Sequence, residues 1–134
     1  MKILVTGNLG YVGNVLTRML LEQKFDVIGC DTGFYPQGFL DLETSECTQI
    51  KKDIRNLSVE DLKGVSVICH LAALSNDPLG EINPNLTEEI NYNATIRLAK
   101  LAKEAKVEKF IFSSSCSSYG MNENTVNEES DLAP

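Results

Sequence analysis

Three observations predict an α/β fold built on a doubly wound parallel sheet. Short apolar runs alternate with amphipathic segments along the chain. A glycine-rich turn, Thr6-Gly7-Asn8-Leu9-Gly10-Tyr11-Val12-Gly13, joins the first apolar run to the first amphipathic one. An aspartate, Asp31, closes the next apolar run. The order β-α-β-(β)-α-β-α-β, with right-handed crossovers, gives about five strands arranged 3-2-1-4-5.

Each element has its own warrant. Residues 2–6 read as strand one. Residues 11–23 read as a helix, with Val12, Val15, Leu16, Met19 and Leu20 expected on its buried face. Phe25 to Cys30 is strand two. Thr32 to Glu46 mixes glycine, proline and aromatics and reads as loop. A weak third strand lies at Thr48 to Lys51. Ser58-Val59-Glu60-Asp61 has the pattern of a capping box before a short helix. Val65 to His70 reads as strand four, apolar but for Ser66 up to its histidine, as a strand covered on both faces would be. Leu71 to Pro84 is loop. Asn85 to Lys106 reads as one long helix with Ala94, Leu98, Leu101, Ala102 and Ala105 in register. Val107 to Ser113 is strand five.

The chain of 134 residues suits a single domain, residues 1–134, with 120–134 as a polar tail. Its net charge of −7 argues against nucleic acid or an anionic membrane as partner. Cys30, Cys47, Cys69 and Cys116 form no C-x-x-C pair, so no metal is expected. Cys30 and Cys69 fall in apolar runs and should be buried. Met1 leads straight into strand one, without the charged leader and apolar segment of a signal peptide. No run approaches membrane-spanning length. A cytoplasmic protein is the expectation.

In such sheets, ligands bind at the carboxyl ends of the strands, where strand order reverses. The glycine turn, Asp31, Asp53, the loop after His70 and the serines after strand five all belong to that edge. Strand, glycine turn and helix in succession is the context of a dinucleotide site. Gly7 makes the turn and Gly10 leaves room for a pyrophosphate. Gly13 lets the helix pack closely on the strand, and the amides of Tyr11 and Val12 face the phosphates. Asp31 is placed to accept from both ribose hydroxyls, which favours NAD over NADP. His70 ends a covered strand and reads as structural rather than as a general base.

At this point the chain resembles the extended short-chain dehydrogenases, specifically their NAD-dependent nucleotide-sugar epimerases and dehydratases. The resemblance is carried by Thr6-Gly7-x-x-Gly10-x-x-Gly13, Asp31, Asp53-Ile54-Arg55, His70-Leu71-Ala72-Ala73, Asn91-Tyr92-Asn93-Ala94-Thr95, and Ser113-Ser114-Ser115 leading to Tyr119-Gly120. It implies a Rossmann-type fold with NAD as cofactor. It also implies that Asp53 and Ile54 meet the adenine, and that Leu71, Ala72 and Ala73 line the dinucleotide. By the same resemblance Ser115 bonds the reacting sugar hydroxyl, and Asn91 supports the active-site hydrogen bonds. An exposed helix asparagine is the competing reading of Asn91. Asn8 and Leu9 depart from the small residues usual in the turn.

Family chemistry uses a Tyr-x-x-x-Lys pair, the tyrosine taking a hydroxyl proton as hydride passes to the nicotinamide. Tyr11, Tyr35, Tyr92 and Tyr119 are each followed four residues later by something other than lysine. The expectation is therefore an NAD-binding part truncated before the catalytic helix and inactive alone. The alternative is a non-catalytic module that binds NAD or a nucleotide sugar, or a subunit needing a partner. Strand five, left as a sheet edge, leads us to expect a homodimer or a completing partner chain.

Overall fold

The structure, a computed structural model, describes residues 1–34, 47–75, 82–121 and 123–133. Tyr35 and most of the two expected loops lie outside these residues. Strands β1 (Lys2–Thr6), β2 (Asp26–Asp31), β3 (Thr48–Lys51), β4 (Val67–His70) and β5 (Lys109–Phe112) form one parallel sheet. Its order is β3-β2-β1-β4-β5, as expected. Thr6 stands opposite Cys30 on one side and His70 on the other, so the end of β1 is the centre of the carboxyl edge.

Alternation along the strands separates two apolar layers. Leu4, Ile28, Cys30 and Ile68 point to one face, where Ala94, Leu98 and Ala102 of α3 (Ala94–Glu104) cover them with Leu57 and Leu62. Leu4, Leu57, Leu62, Ile68 and Leu98 are fully buried, worth roughly 1.5–3 kcal/mol each. Ile3, Val5, Val27, Val67 and Cys69 point to the other face, against Leu16, Leu20 and Leu21 of α1 (Tyr11–Glu22). In β5, Phe110 joins the first layer. Ile111 therefore points to the α1 side, where it is 53% exposed. Cys30 and Cys69 are buried, as expected, and all four cysteines are free.

Four expectations need correction. The buried residues of α1 are Gly13, Asn14 and Thr17, while Val12 and Met19 are 59% and 58% exposed and Val15 is exposed as well. The glycine turn draws the helix so close that only small residues fit beneath it, which turns the valines outward. The side-chain oxygens of Asn14 and Thr17 are buried there without a partner among the described residues.

The long helix is three pieces: α2 (Pro84–Glu88), a π-helical turn (Glu89–Asn93) and α3. An inserted residue in the hydrogen-bond ladder leaves no trace in hydrophobic periodicity. The capping-box pattern forms only a 3₁₀ turn, Glu60–Leu62. Asp61 accepts from both the amide and the hydroxyl of Ser58, so the serine hydroxyl donates instead of capping. Finally, β4 and β5 are shorter than expected: β4 lacks Val65 and Ser66, and β5 lacks Val107 and Glu108 at its start and Ser113 at its end.

Candidate functional site

The glycine turn connects β1 to α1 at the centre of the carboxyl edge. Gly7 has φ of +73°, a left-handed conformation that side chains resist, and a Cβ there would lie 2.8 Å from the Ala72 amide nitrogen. Gly13 is fixed more tightly than expected, and against a different neighbour. A Cβ on it would overlap the Gly7 carbonyl oxygen and crowd the Asn8 Cα, so at Gly13 the helix rests on the turn, and only its later leucines reach the strands. Gly10 is exposed and extended at the helix N-cap, with no side chain capping it and no acidic residue in the first turn. The first amides of α1, at Tyr11 and Val12, lack partners within the helix and carry the positive end of its dipole. That end can hold an anion.

Asp31 sits half-buried at the tip of β2. One oxygen accepts from the Leu9 amide at 3.2 Å and the other from the Gly33 amide at 2.8 Å. The carboxylate thus ties the glycine turn to the neighbouring strand and keeps lone pairs for a diol. Sequence reasoning missed what Asn8 does. It is 1% exposed and pairs with Gln49 of β3 through reciprocal amide bonds of 2.7 and 3.2 Å. Gly29 is what admits it, since a Cβ there would overlap the Asn8 carboxamide. The signal was present in the departure from small residues at position 8, but its partner lies 41 residues away.

Asp53 opens the 3₁₀ turn Ile54–Asn56 and accepts from the Arg55 amide at 2.8 Å. The Arg55 guanidinium grips both its oxygens, at 3.0 and 2.7 Å, and reaches on to Glu89 at 3.1 Å. That guanidinium bond, more than any other cause, holds the Asp53 carboxyl below its usual range. Asp53 is therefore an anion with its acceptors partly engaged. The side chain of Ile54 is in the core.

Beyond β4, the segment Leu71–Leu74 runs beside the glycine turn. The Leu71 and Ala72 amides both donate to Thr6 Oγ1, at 3.2 and 3.3 Å. Ala73 is exposed. Asn91, in the π-helical turn, is half-buried rather than an exposed helix residue. Its carboxamide accepts from the Leu74 amide and donates to the Leu74 carbonyl, each at 2.8 Å. His70 is 2% exposed and bonded on both ring nitrogens, which agrees with a structural part.

Ser115 follows β5 and caps the 3₁₀ turn Cys116–Tyr119, accepting from the Ser117 amide at 3.2 Å. It is exposed, and its hydroxyl bonds Ser117 Oγ at 3.0 Å. The end of the chain returns to this turn, the Ala133 amide donating to the Ser118 carbonyl at 3.0 Å. Among the described residues, the side-chain hydrogen bonds of Asn91 go to Leu74 and those of Ser115 to Ser117, so the two are not joined. No cluster of metal-ligating side chains occurs among the described residues.

A parallel sheet with an uncapped helix at its glycine turn, and a carboxylate at the next strand tip, defines the class of dinucleotide-binding α/β domains. The residues present fit a dinucleotide: open amides for a diphosphate, a carboxylate for a ribose, and small residues, Ala72 and Ala73, where the chain would pass the ligand. Comparison with known proteins gives the family. Residues 3–134 match the NAD dependent epimerase/dehydratase family, and the chain belongs to it.

An uncharacterized UDP-glucose epimerase of Bacillus subtilis, YtcB, is 33% identical over the whole of this chain and 46% of its own length. A UDP-glucose 4-epimerase of Klebsiella pneumoniae is 30% identical over 90% of this chain and 93% of itself. Among solved structures, a UDP-glucuronic acid 4-epimerase from Bacillus cereus, in complex with UDP-glucuronic acid and NAD, superposes with a TM-score of 0.84. It is 30% identical, over 100% of this chain and 46% of that one. The chain thus spans less than half the length of the Bacillus subtilis relative and of that structure.

Proposed function

We propose that this chain is the NAD-binding part of a nucleotide-sugar epimerase or dehydratase. The observation that carries the reading is the uncapped start of α1 beside Asp31, within a fold whose family is NAD-dependent. Gly7, Gly10, Tyr11, Val12 and Gly13 would hold the diphosphate, and Asp31 the adenosine ribose. Asp53 and Ile54 would meet the adenine, and Leu71, Ala72 and Ala73 would line the dinucleotide. Bound NAD supplies a hydride acceptor for a sugar carbon. Ser115 would bond the sugar hydroxyl, while Asn91 holds the segment ending at Leu74 in shape. No Tyr-x-x-x-Lys occurs in these 134 residues, so the polypeptide by itself binds NAD without turning over a sugar. The same observation favours the second reading, a binding module or subunit that acts with a partner.

Calorimetric titration tests the first claim. NAD should bind in the micromolar to millimolar range, roughly −4 to −8 kcal/mol. Asp31→Ala should weaken it further, by about tenfold or more, since a hydrogen bond to a charged group is worth about 1.5–3 kcal/mol. Unchanged affinity would remove the ribose role. Conversion of UDP-glucose or UDP-galactose by the purified chain would overturn the claim of inactivity.

A partner is part of this reading. Val12, Val15 and Met19 on α1, and Ile111 on the edge strand β5, are exposed on one side of the sheet. A second copy, or a completing chain, would cover them. Sedimentation at high micromolar concentration should show a dimer; a strictly monomeric species counts against self-association. Free cysteines and a Cys30 thiol pushed up by burial to about 12 suit a reducing compartment, and the cytoplasm is the proposed site of action.

A further inference from the structure

His70 is the only histidine of the chain, and its surroundings decide where its proton sits. A threonine hydroxyl has one proton to give and two lone pairs. Thr6 Oγ1 accepts from the Ala72 amide at 3.3 Å and from the Leu71 amide at 3.2 Å, a proton that Leu71 shares with the Thr6 carbonyl at 3.2 Å. Its own proton is left for His70 Nδ1, 2.7 Å away, so Nδ1 is an acceptor. On the other side of the ring, Thr95 gives its proton to the Asn91 carbonyl at 2.8 Å. Thr95 Oγ1 must then accept from His70 Nε2, at 2.9 Å. Two independent counts return one neutral tautomer, with the proton on Nε2. An imidazolium would set a donor against the occupied Thr6 hydroxyl, and burial disfavours its charge as well.

The bonds continue past the histidine. Asn91 holds both the amide and the carbonyl of Leu74, 2.8 Å each. Thr6 holds the other end of the same segment. Thr6 also precedes Gly7, whose missing Cβ is what lets Ala72 approach the turn. The π-helical turn Glu89–Asn93 carries Asn91, and Thr95 follows one turn later.

We infer that His70 is a positioning residue: as the neutral Nε2–H tautomer it closes a ring that is hydrogen-bonded in one direction from the Leu71 and Ala72 amides through Thr6 and Thr95 to the Asn91 carbonyl, and completed by the reciprocal Asn91–Leu74 bonds and the backbone between residues 71 and 74, which fixes both ends of the segment beside the glycine turn. The ring sets the shape of that wall before any ligand arrives. Its consequence for ligand affinity rests on the reading of this wall as NAD-lining. Its existence does not.

Imidazole ¹⁵N spectra of the full chain, labelled at histidine, report one residue without ambiguity. Expected are an unprotonated Nδ1 and a protonated Nε2, unchanged from about pH 5 to about pH 8, the range in which a free histidine titrates. The opposite tautomer, or an imidazolium in that range, overturns the ring. Thr95→Val then removes one hydroxyl at nearly constant shape. NAD should bind about threefold to tenfold more weakly, the segment no longer being pre-shaped, and the Leu74 amide should exchange faster. Thr95→Ser should restore both. A folded Thr95→Val chain with native affinity and native exchange overturns the inference. If the native chain fails to bind NAD, the proposed function falls, while the spectrum still decides the ring. If Thr95→Val fails to fold, the native spectrum alone carries the test.

Discussion

The two ends of the carboxyl edge are built differently. At the glycine turn, local contacts such as Gly13 against Gly7 are joined by long-range ones: Leu9 to Asp31, Asn8 to Gln49, Thr6 to His70, Gly7 against Ala72. After β5, the contacts of Ser115 reach no further than residues 117 and 118, and the side chains are exposed. The first end is held by the core and needs nothing else to keep its shape. The second is held by its own turn and the returning chain end. This split parallels the two roles proposed, the glycine turn for NAD and the serine turn for a sugar hydroxyl. Perturbations should therefore be costly at the first end and nearly silent at the second.

The largest effect is expected at Gly13. A methyl group there overlaps the Gly7 carbonyl oxygen, which is backbone and has no rotamer to escape into. Over-packing of this kind costs roughly 1–3 kcal/mol, and more where backbone is the obstacle. Gly13→Ala should lower stability by about 3 kcal/mol in urea unfolding and abolish measurable NAD binding. Native stability in this variant would mean that α1 can slide off the turn, and the contrast between the two ends would be lost.

An effect of up to similar size is expected from pH. Burial pushes His70 down from 6.5 to about 4. Between those values the unfolded chain takes up a proton that the folded chain refuses. The stabilisation is complete above pH 6.5 and is lost as pH falls toward 4, by up to about 3 kcal/mol. Asp53 acts in a lower window. Its carboxyl is held down chiefly by the Arg55 side-chain hydrogen bond, so its contribution is present above 3.8 and disappears below it. Urea midpoints measured across this range should fall in two stages. His70→Asn, less stable throughout, should lose the upper stage only. A slope that survives in the variant would assign that stage to other groups.

The same contrast explains what could be read from the sequence. Strand order, the turn glycines, Asp31 and the structural part of His70 were legible because local patterns dictate them. An apolar run ending in Asp or His can only bring that residue to the sheet edge. The outward turn of Val12, Val15 and Met19 was not legible. Helical periodicity finds an apolar stripe but cannot tell which partner covers it, and here the close approach at Gly13 decided. The Asn8–Gln49 pair was hidden because the partners are distant in sequence, and the π-helical turn because an inserted residue leaves no mark on hydrophobic periodicity. The roles of Ser115 and Asn91 came only from resemblance. The structure gives Asn91 a definite set of bonds to Leu74 and leaves Ser115 in its local turn.

Ser115 offers the smallest effect and the sharpest test of the split. Its hydroxyl caps a four-residue 3₁₀ turn and bonds a neighbour two residues away. Removing a cap costs about 0.5 kcal/mol at the low end of the measured range, and an exposed turn belongs at that end because water replaces the lost partner. Ser115→Ala should therefore shift thermal unfolding only slightly and leave NAD affinity unchanged, since its hydrogen bonds stay within its own turn. A loss above about 1 kcal/mol would mean that the serine turn is packed against something more than its own neighbours, which is what a completing partner bound in solution would produce. Repeating the measurement at a protein concentration where any dimer dissociates would then separate the two origins. A loss that vanishes on dilution belongs to the partner, and one that persists belongs to the turn itself.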